Sequence, residues 1–168
     1  MQFDKSAFQF LTDLKKNNNR DWFTERKDIF KEHQNHAKEF YAAIRENLER
    51  HDEIDRFKLF RIYRDVRFSK DKTPYQPHFA GSFSRTGAQL RGGYYLRIRP
   101  GESFLAGGFW EPNKEDLQRI RKEIELDATE FRALLKDENF NRYFGDTFQG
   151  EELKSAPRGF DKEHPDLD

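Results

Sequence analysis

The chain contains no cysteine, which excludes disulfide bonds, thiolate catalysis and cysteine-ligated metals. It has no apolar run of the roughly 18–20 residues that a membrane-spanning helix needs. Its first residues lack the basic and then apolar pattern of a signal peptide. An excess of one charge is missing too, because 31 Lys and Arg residues balance 31 Asp and Glu residues. These absences predict a cytoplasmic protein without a membrane partner, and they argue against nucleic-acid binding through bulk positive charge.

The short motifs of the commonest enzyme classes are also missing. The sequence has no Walker loop, Rossmann glycine fingerprint, serine nucleophile elbow or His-Glu-x-x-His motif. His33 and His36 are three residues apart, but no nearby acidic residues complete the three protein ligands of a catalytic zinc site. We therefore expect no metal and no cofactor, and the sequence leaves open whether the protein is an enzyme.

Length and composition predict a single folded domain over residues 1–168. A chain of 168 residues is long enough to bury a hydrophobic core. Aromatic residues, which disordered chains lack, make up 15% of the chain, and 18 of them are Phe. The sequence therefore favours a folded domain with a core rich in phenylalanine.

Helical periodicity predicts a short helix capped by Asp4 and a long helix over residues 20–50, capped by Asn19. Four strands follow, at residues 57–68, 79–85, 93–100 and 103–110, and then two helices capped by Asn113 and Asp127. The connections between the strands are short, which favours antiparallel pairing. We expect an α+β fold in which an antiparallel sheet of four to five strands has helices packed mainly on one face.

The densest mixture of charged and aromatic residues lies at positions 60–78, which we call the basic stretch. Its charged residues are Arg61, Arg64, Asp65, Arg67, Lys70, Asp71 and Lys72. If its first half is a strand, Arg64 falls on the same face as Ile62 and Val66. A guanidinium group is not buried alone, so either the strand bulges or ends there, or Arg64 has a carboxylate partner. Its second half, residues 69–77, is a loop by its turn residues.

Alternation along the strands also predicts a second, polar face of the sheet. The side chains expected there are Arg61, Tyr63, Arg67, Tyr95, Arg97 and Arg99. Arginine forks bind phosphate and carboxylate in a planar, bidentate way, and tyrosine rings stack on bases. The candidate ligand-binding residues are therefore Arg61, Arg64, Arg67, Lys72, Tyr75, Arg97 and Arg158. Arg158 belongs to a second basic segment, residues 153–160, which is expected to dock near the first.

Three functions are compatible with this pattern. The first is a binding protein or enzyme for an anionic small molecule, in which Asp65 or Asp71 would be the base and His78 the proton shuttle. The second is a module that stacks single-stranded nucleic acid on the sheet, which zero net charge disfavours. The third is a protein-interaction or structural domain whose arginines form internal ion pairs. The oligomeric state is left open.

Several motifs have the spacing found in one known family. In the basic stretch they are Arg61, Arg64, Asp65, Arg67 and Phe68, and then Asp71, Lys72 and Tyr75. Others lie at residues 18–23, 94–96, 107–112 and 154–160, followed by His164 and Pro165. Over nearly its whole length the chain thus resembles the uncharacterised bacterial and fungal family called domain of unknown function 2461. That resemblance implies no activity. Members generally continue past the His-Pro pair, so it also implies that a C-terminal helical piece is absent here.

Overall fold

The computed structural model describes residues 2–87, 89–145 and 153–166. The chain divides into two compact units, Met1–Trp110 and Glu111–Asp168, and the expectation of a single domain stays a prediction. The elements of the first unit are α1 (Lys5–Lys16), α2 (Arg20–Glu25), α3 (Lys27–Leu48), β1 (Ile54–Leu59), β2 (Phe79–Arg85), β3 (Gly93–Ile98) and β4 (Phe104–Gly108). Those of the second unit are α4 (Lys114–Leu126), α5 (Thr129–Leu135) and α6 (Glu138–Phe144). None of the helices within these residues combines the length and apolar character that crossing a membrane requires.

The first unit is built on one four-stranded antiparallel sheet in the order β1-β2-β3-β4, which confirms the predicted α+β class. Strand β2 has the predicted bounds, whereas β3 and β4 are each shorter than expected. Alternation places Phe79 and Phe83 of β2 in the hydrophobic core, with Leu96 and Ile98 of β3 packed beside them. The intervening residues therefore point to the second face of the sheet.

The predicted helix starts follow from side-chain caps. Asp4 accepts a hydrogen bond from the backbone N–H of Ser6, and Asn19 accepts one from that of Trp22. Asn113 likewise starts α4. The next expected cap, Asp127, accepts from the N–H of Thr129, although the N-cap position of α5 is one residue later.

The single helix predicted over residues 20–50 is wrong, because the chain breaks it at Arg26. There the backbone leaves helical geometry, with φ of −115° and ψ of 16°, between α2 and α3. The Arg26 guanidinium donates to the backbone carbonyl of Trp22 and lies 4.6 Å from the centre of the Trp22 ring. A cation–π contact and a hydrogen bond thus stabilise the break, and neither is visible in the apolar periodicity.

The strand predicted over residues 57–68 is also wrong in its second half. The last pair between β1 and β2 is Leu59 with Gly81, and the N–H of Phe60 still donates to the carbonyl of Ala80. Beyond this point the chain leaves the sheet, and Tyr63 forms an isolated bridge with Tyr75. The expected placement of Arg61, Tyr63 and Arg67 on the second face of the sheet is therefore wrong.

Tyr41 of α3 joins the helices to three strands. Its ring is fully buried and stacks on Phe57 and Phe83 at centroid distances of 6.0 and 6.1 Å. Its hydroxyl lies 3.2 Å from the carbonyl oxygen of Phe79 and 3.1 Å from that of Leu96. A Cβ added at Gly81 would lie 2.8 Å from the Tyr41 ring, so the helix packs this closely only because position 81 is glycine.

Replacement of Gly81 by Ala is expected to lower the free energy of unfolding by about 1–3 kcal/mol, because the new methyl group overlaps a ring that cannot move within a packed core. Gly107→Ala is the matched control, because a Cβ there meets the Tyr94 ring at an ordinary 3.5 Å. Urea unfolding of both variants measures the difference. Equal stabilities for Gly81→Ala and Gly107→Ala would contradict the packing described.

Candidate functional site

The basic stretch is a closed loop rather than a strand. Its two arms are joined by backbone hydrogen bonds from Gln76 N to the carbonyl of Ile62, at 2.7 Å, and from Arg64 N to that of Pro74, at 2.9 Å. Ile62 and Tyr75 are buried, and between the arms the chain turns through mostly exposed residues, which are polar except for Val66 and Phe68. Through these two side chains the loop therefore belongs to the main hydrophobic core.

Arg64 is paired inside this loop. Its side chain is only 19% exposed and forms a salt bridge with Asp71, and it also bonds the hydroxyl of Thr73 at 2.5 Å. Hydrogen bonds from Arg64 and then from the backbone N–H of Thr73 lower the pKa of Asp71 to about 2. Two explanations were considered for Arg64, the end of the strand and a carboxylate partner, and both are found. The strand ends at Leu59, and Asp71 is the partner.

Three further charged residues of the loop, Asp65, Arg67 and Lys72, also have partners within it. Asp65 bonds Arg67 at 2.6 Å, and this hydrogen bond lowers the pKa of the Asp65 carboxyl group. The Lys72 ammonium donates to the carbonyl of Val66 at 2.9 Å. Arg61 is exposed on the surface of the loop. A carboxylate that is paired in this way is a weak base near neutral pH, so the geometry gives no support to a base at Asp65 or Asp71.

Tyr75 serves to anchor the loop. The Asn18 side chain makes two hydrogen bonds to its backbone, donating to the Tyr75 carbonyl at 2.9 Å and accepting from its N–H at 3.1 Å. The ring stacks on Phe23 with a centroid distance of 4.0 Å and is 5% exposed. Tyr75 thus holds the loop against α2 and the turn before it, and its expected contact with a ligand stays a prediction.

A cluster of three cationic or ionisable side chains lies at one end of the second face of the sheet. Arg97 of β3 pairs with Ala80 of β2, and alternation puts His78 and Arg99 on the same side, one step further along. The Nδ1 atom of His78 and the Nε atoms of Arg97 and Arg99 are buried, and they have no hydrogen-bond partner among the described residues. We call His78, Arg97 and Arg99 the cationic cluster.

The electrostatics of the cluster keep His78 neutral. Burial first, and then the charges of Arg97 and Arg99, lower the pKa of His78 from its ordinary 6.5 to about 4. Among the described residues, the carboxylate paired with the cluster is that of Glu102, which accepts from Arg99 at 3.1 Å; the Glu102 backbone carbonyl lies 3.4 Å from Arg97. Two guanidinium groups therefore face one partly exposed carboxylate in the described chain, which leaves a local excess of positive charge.

An aromatic groove of about 850 Å³ adjoins the cluster on the same face of the sheet. Its floor consists of small residues and its walls carry rings, and its lining includes Phe60, Ser82, Ser84, Gly93, Tyr95, Phe104, Ala106, Gly108 and Trp110. Sequence reasoning placed Tyr95 and Arg97 on this face but missed Phe60, Phe104 and Trp110. A signal for the groove was available in β2, where Phe79, Gly81 and Phe83 alternate with Ala80, Ser82 and Ser84. This alternation puts small side chains on the second face of the sheet.

Arg158 and the histidine pair of α3 are not members of the cationic cluster. Arg158 belongs to the second unit, where it is exposed in the segment after the helices. Lys122 of α4 holds that segment by lying 4.4 Å from the centre of the Phe160 ring. In α3 the Nδ1 atoms of His33 and His36 lie 3.7 and 3.8 Å from a carboxylate oxygen of Asp4, and within the described ranges no three His, Asp or Glu side chains gather into a metal-binding group.

These observations define an α+β protein whose antiparallel sheet carries a cationic cluster and an aromatic groove on one face. The chain belongs to the family described as conserved hypothetical protein (DUF2461), whose model matches residues 6–168. No curated protein and no solved structure matches the chain. Two stretches that carry the resemblance, residues 18–23 and the basic stretch, contact each other through Asn18 and Tyr75.

Replacement of His78 by Gln is expected to flatten the dependence of stability on pH. The folded-state pKa of about 4 lies below the ordinary 6.5, so between these values the unfolded chain binds more protons and stability falls as the pH falls. The variant has no titrating group at this position and does not lose this stability. In the wild-type protein we expect the loss to be about 1 kcal/mol, because solvent screens the charge. Urea unfolding at a series of pH values tests it, with His51→Gln, an exposed histidine, as control. The same pH profile in wild type and His78→Gln would contradict the assignment.

Proposed function

We propose that the protein binds a small anionic molecule, bearing a phosphate or carboxylate group, at the cationic cluster. The observation that carries this proposal is that three buried nitrogen atoms on the same side of the sheet, from His78, Arg97 and Arg99, have no hydrogen-bond partners in the described chain. A buried polar group that stays unpaired costs about 1–3 kcal/mol, and more when it is charged. A bound oxyanion would accept all three hydrogen bonds and offset this cost.

The chemistry of arginine supports an oxyanion as the ligand. The Nε–H and one Nη–H of a guanidinium group form a planar fork that matches two oxygens of a phosphate or carboxylate. The Nε atoms of Arg97 and Arg99 are the unpaired ones, while an Nη atom of Arg99 is engaged by Glu102. Glu102 is 46% exposed, so an incoming anion can displace it into solvent at small cost.

In this proposal the basic stretch has a structural role. Arg64 and Arg67 are each bonded to a carboxylate and Lys72 to a backbone carbonyl, so their charges are compensated within the loop. For the loop, this agrees with the third function considered from the sequence, a domain whose arginines form internal ion pairs. It does not extend to Arg97 and Arg99. A ligand contact by Arg61, Arg64, Arg67 or Lys72 therefore remains a separate hypothesis that the same experiment tests.

Whether the ligand is also transformed is a separate question. His78 is neutral near pH 7 and lies inside the cluster, so it is the group best placed to exchange a proton with a bound anion. A bound dianion would raise the pKa of His78, because it supplies the opposite charge that the buried site lacks. His78 could exchange a proton without first breaking an ion pair. Asp65 and Asp71, in contrast, would each have to leave an arginine partner.

Sulfate and inorganic phosphate are expected to raise the melting temperature of the wild-type protein. A ligand at a hundred times its dissociation constant stabilises by about 2.7 kcal/mol, which is roughly 5–10 °C for a chain of this size. Arg97→Ala and Arg99→Ala should each lose most of this shift relative to chloride at equal ionic strength. Glu102→Gln should increase it, because the competing carboxylate is gone.

The control is Arg45→Ala, which removes a more exposed arginine that is likewise paired with a glutamate, Glu49, on α3. It should keep the full shift. Arg67→Ala discriminates between the two basic regions of the first unit, because it should lose the shift only if the loop is the binding site. Retention of the shift in both Arg97→Ala and Arg99→Ala, with circular dichroism showing intact folding, would overturn the proposal.

A further inference from the structure

The lining of the aromatic groove suits a planar ring. Its floor is formed by small residues of three strands: Ser82 and Ser84 alternate along β2, Gly93 of β3 pairs with Ser84, and Gly108 of β4 pairs with Gly93. A Cβ at Gly93 would lie 2.1 Å from the Phe83 carbonyl oxygen, so this position admits no larger residue. Small residues across three neighbouring strands leave an open floor, so the edge of a ring can come close to the backbone.

Rings form the walls of the groove. Tyr95 lies between two of them, with its ring centre 6.2 Å from that of Phe60 and 5.6 Å from that of Phe104. Phe60 is 39% and Phe104 is 42% exposed, so both retain accessible surface beside the floor. Trp110 borders the groove and is largely exposed. Aromatic surfaces that remain exposed around a small-residue floor are typical of a site for ring stacking.

The groove is continuous with the cationic cluster. Tyr95 and Arg97 are two residues apart on the same face of β3, which separates their Cα atoms by about 7 Å. The Arg97 guanidinium also lies 4.4 Å from the centre of the Phe104 ring, so the same side chain borders both sites. At the other wall the Lys58 ammonium lies 5.3 Å from the Phe60 ring. No acidic side chain is among the described residues that line the groove.

We propose that the ligand is a nucleoside monophosphate, whose base stacks in the aromatic groove while its phosphate is held by the cationic cluster. This assignment rests on the proposed function, because the cluster must first bind the anion. The spacing from Tyr95 to the cluster suits the ribose that joins a base to its phosphate. The hydroxyl groups of Ser82 and Ser84 can bond the polar edge of the base, which an acyl chain or a plain hydrocarbon ring would leave unused.

A mononucleotide fits this face better than a strand of nucleic acid. A strand needs a track of cations along its phosphates, whereas the unpaired donors here gather at one end of the groove. The zero net charge of the whole chain also argues against binding a strand of nucleic acid. One phosphate position followed by one stacking position is the pattern of a single nucleotide.

The test measures the affinities of adenosine monophosphate, ribose 5-phosphate and inorganic phosphate by calorimetry. We expect adenosine monophosphate to bind about tenfold or more tightly than ribose 5-phosphate, because stacking on aromatic side chains adds affinity for each base. In a Trp22→Phe background, where Trp110 is the remaining tryptophan, the nucleotide should quench Trp110 fluorescence and ribose 5-phosphate should not.

Phe60→Ala and Phe104→Ala should remove the preference for the nucleotide, and Phe60→Ala should do so without changing the affinity for inorganic phosphate. Leu105→Ala is the matched control, because Leu105 is exposed on the same strand but alternation turns it to the opposite side from Phe104. The control should keep the preference.

The outcomes separate the two proposals. Equal affinities for adenosine monophosphate and ribose 5-phosphate would overturn the nucleotide assignment and leave the anion site intact. Absence of binding by all three probes would overturn both. Affinity that rises with the length of a single-stranded oligonucleotide would overturn the mononucleotide in favour of a strand of nucleic acid.

Discussion

The packing of Tyr41 on Gly81 is the contact on which the first unit depends. It brings α3 onto the sheet and gives the Tyr41 hydroxyl two strand carbonyls as acceptors. Burial raises the pKa of Tyr41, so this hydroxyl keeps its proton and can donate. Because strand side chains alternate, fixing Gly81 towards α3 fixes Ser82 and Tyr95, its cross-strand neighbour, towards the other face. A shift by one residue would bury Arg97 and expose the core phenylalanines.

Arginine has two different roles in this protein, and its neighbours decide which. In the basic stretch a carboxylate follows or precedes each paired arginine within a few residues, as in Arg64 with Asp71 and Arg67 with Asp65. In the cationic cluster Arg97 lies in β3 and Arg99 directly after it, and the carboxylate that compensates them within the described chain is that of Glu102 in the following turn. The charges of Arg64 and Arg67 are therefore compensated inside the loop, whereas those of Arg97 and Arg99 are compensated incompletely on the sheet. That difference, rather than the number of arginines, indicates where an anion would bind.

Much of the fold was predictable because its signals are local. Asp4, Asn19 and Asn113 cap helices, and the alternation of Tyr94, Leu96 and Ile98 with Tyr95 and Arg97 gives β3 its two faces. The errors arose where a distant or polar contact decides the backbone. The end of β1 depends on an ion pair that spans seven residues and on the amide of Asn18, and the break at Arg26 depends on a ring contact.

The candidate site was predictable only in part, for a related reason. Arg97, Tyr95 and His78 can be placed from strand alternation, and two of them were among the candidates. The groove depends on how four strands register side by side, since Phe60 and Phe104 approach Tyr95 from different strands or strand ends. Periodicity within one strand does not show which residues become cross-strand neighbours.

The most direct test of the anion site is nuclear magnetic resonance of the arginine side chains during a titration with sulfate. Sulfate keeps its charge over the working pH range, so only the protein's groups titrate. The account predicts that the Nε–H signals of Arg97 and Arg99 shift together with the ring nitrogens of His78, while those of Arg64 and Arg67 stay in place. Shifts confined to Arg64 and Arg67, or an unchanged cationic cluster at saturating sulfate, would contradict it.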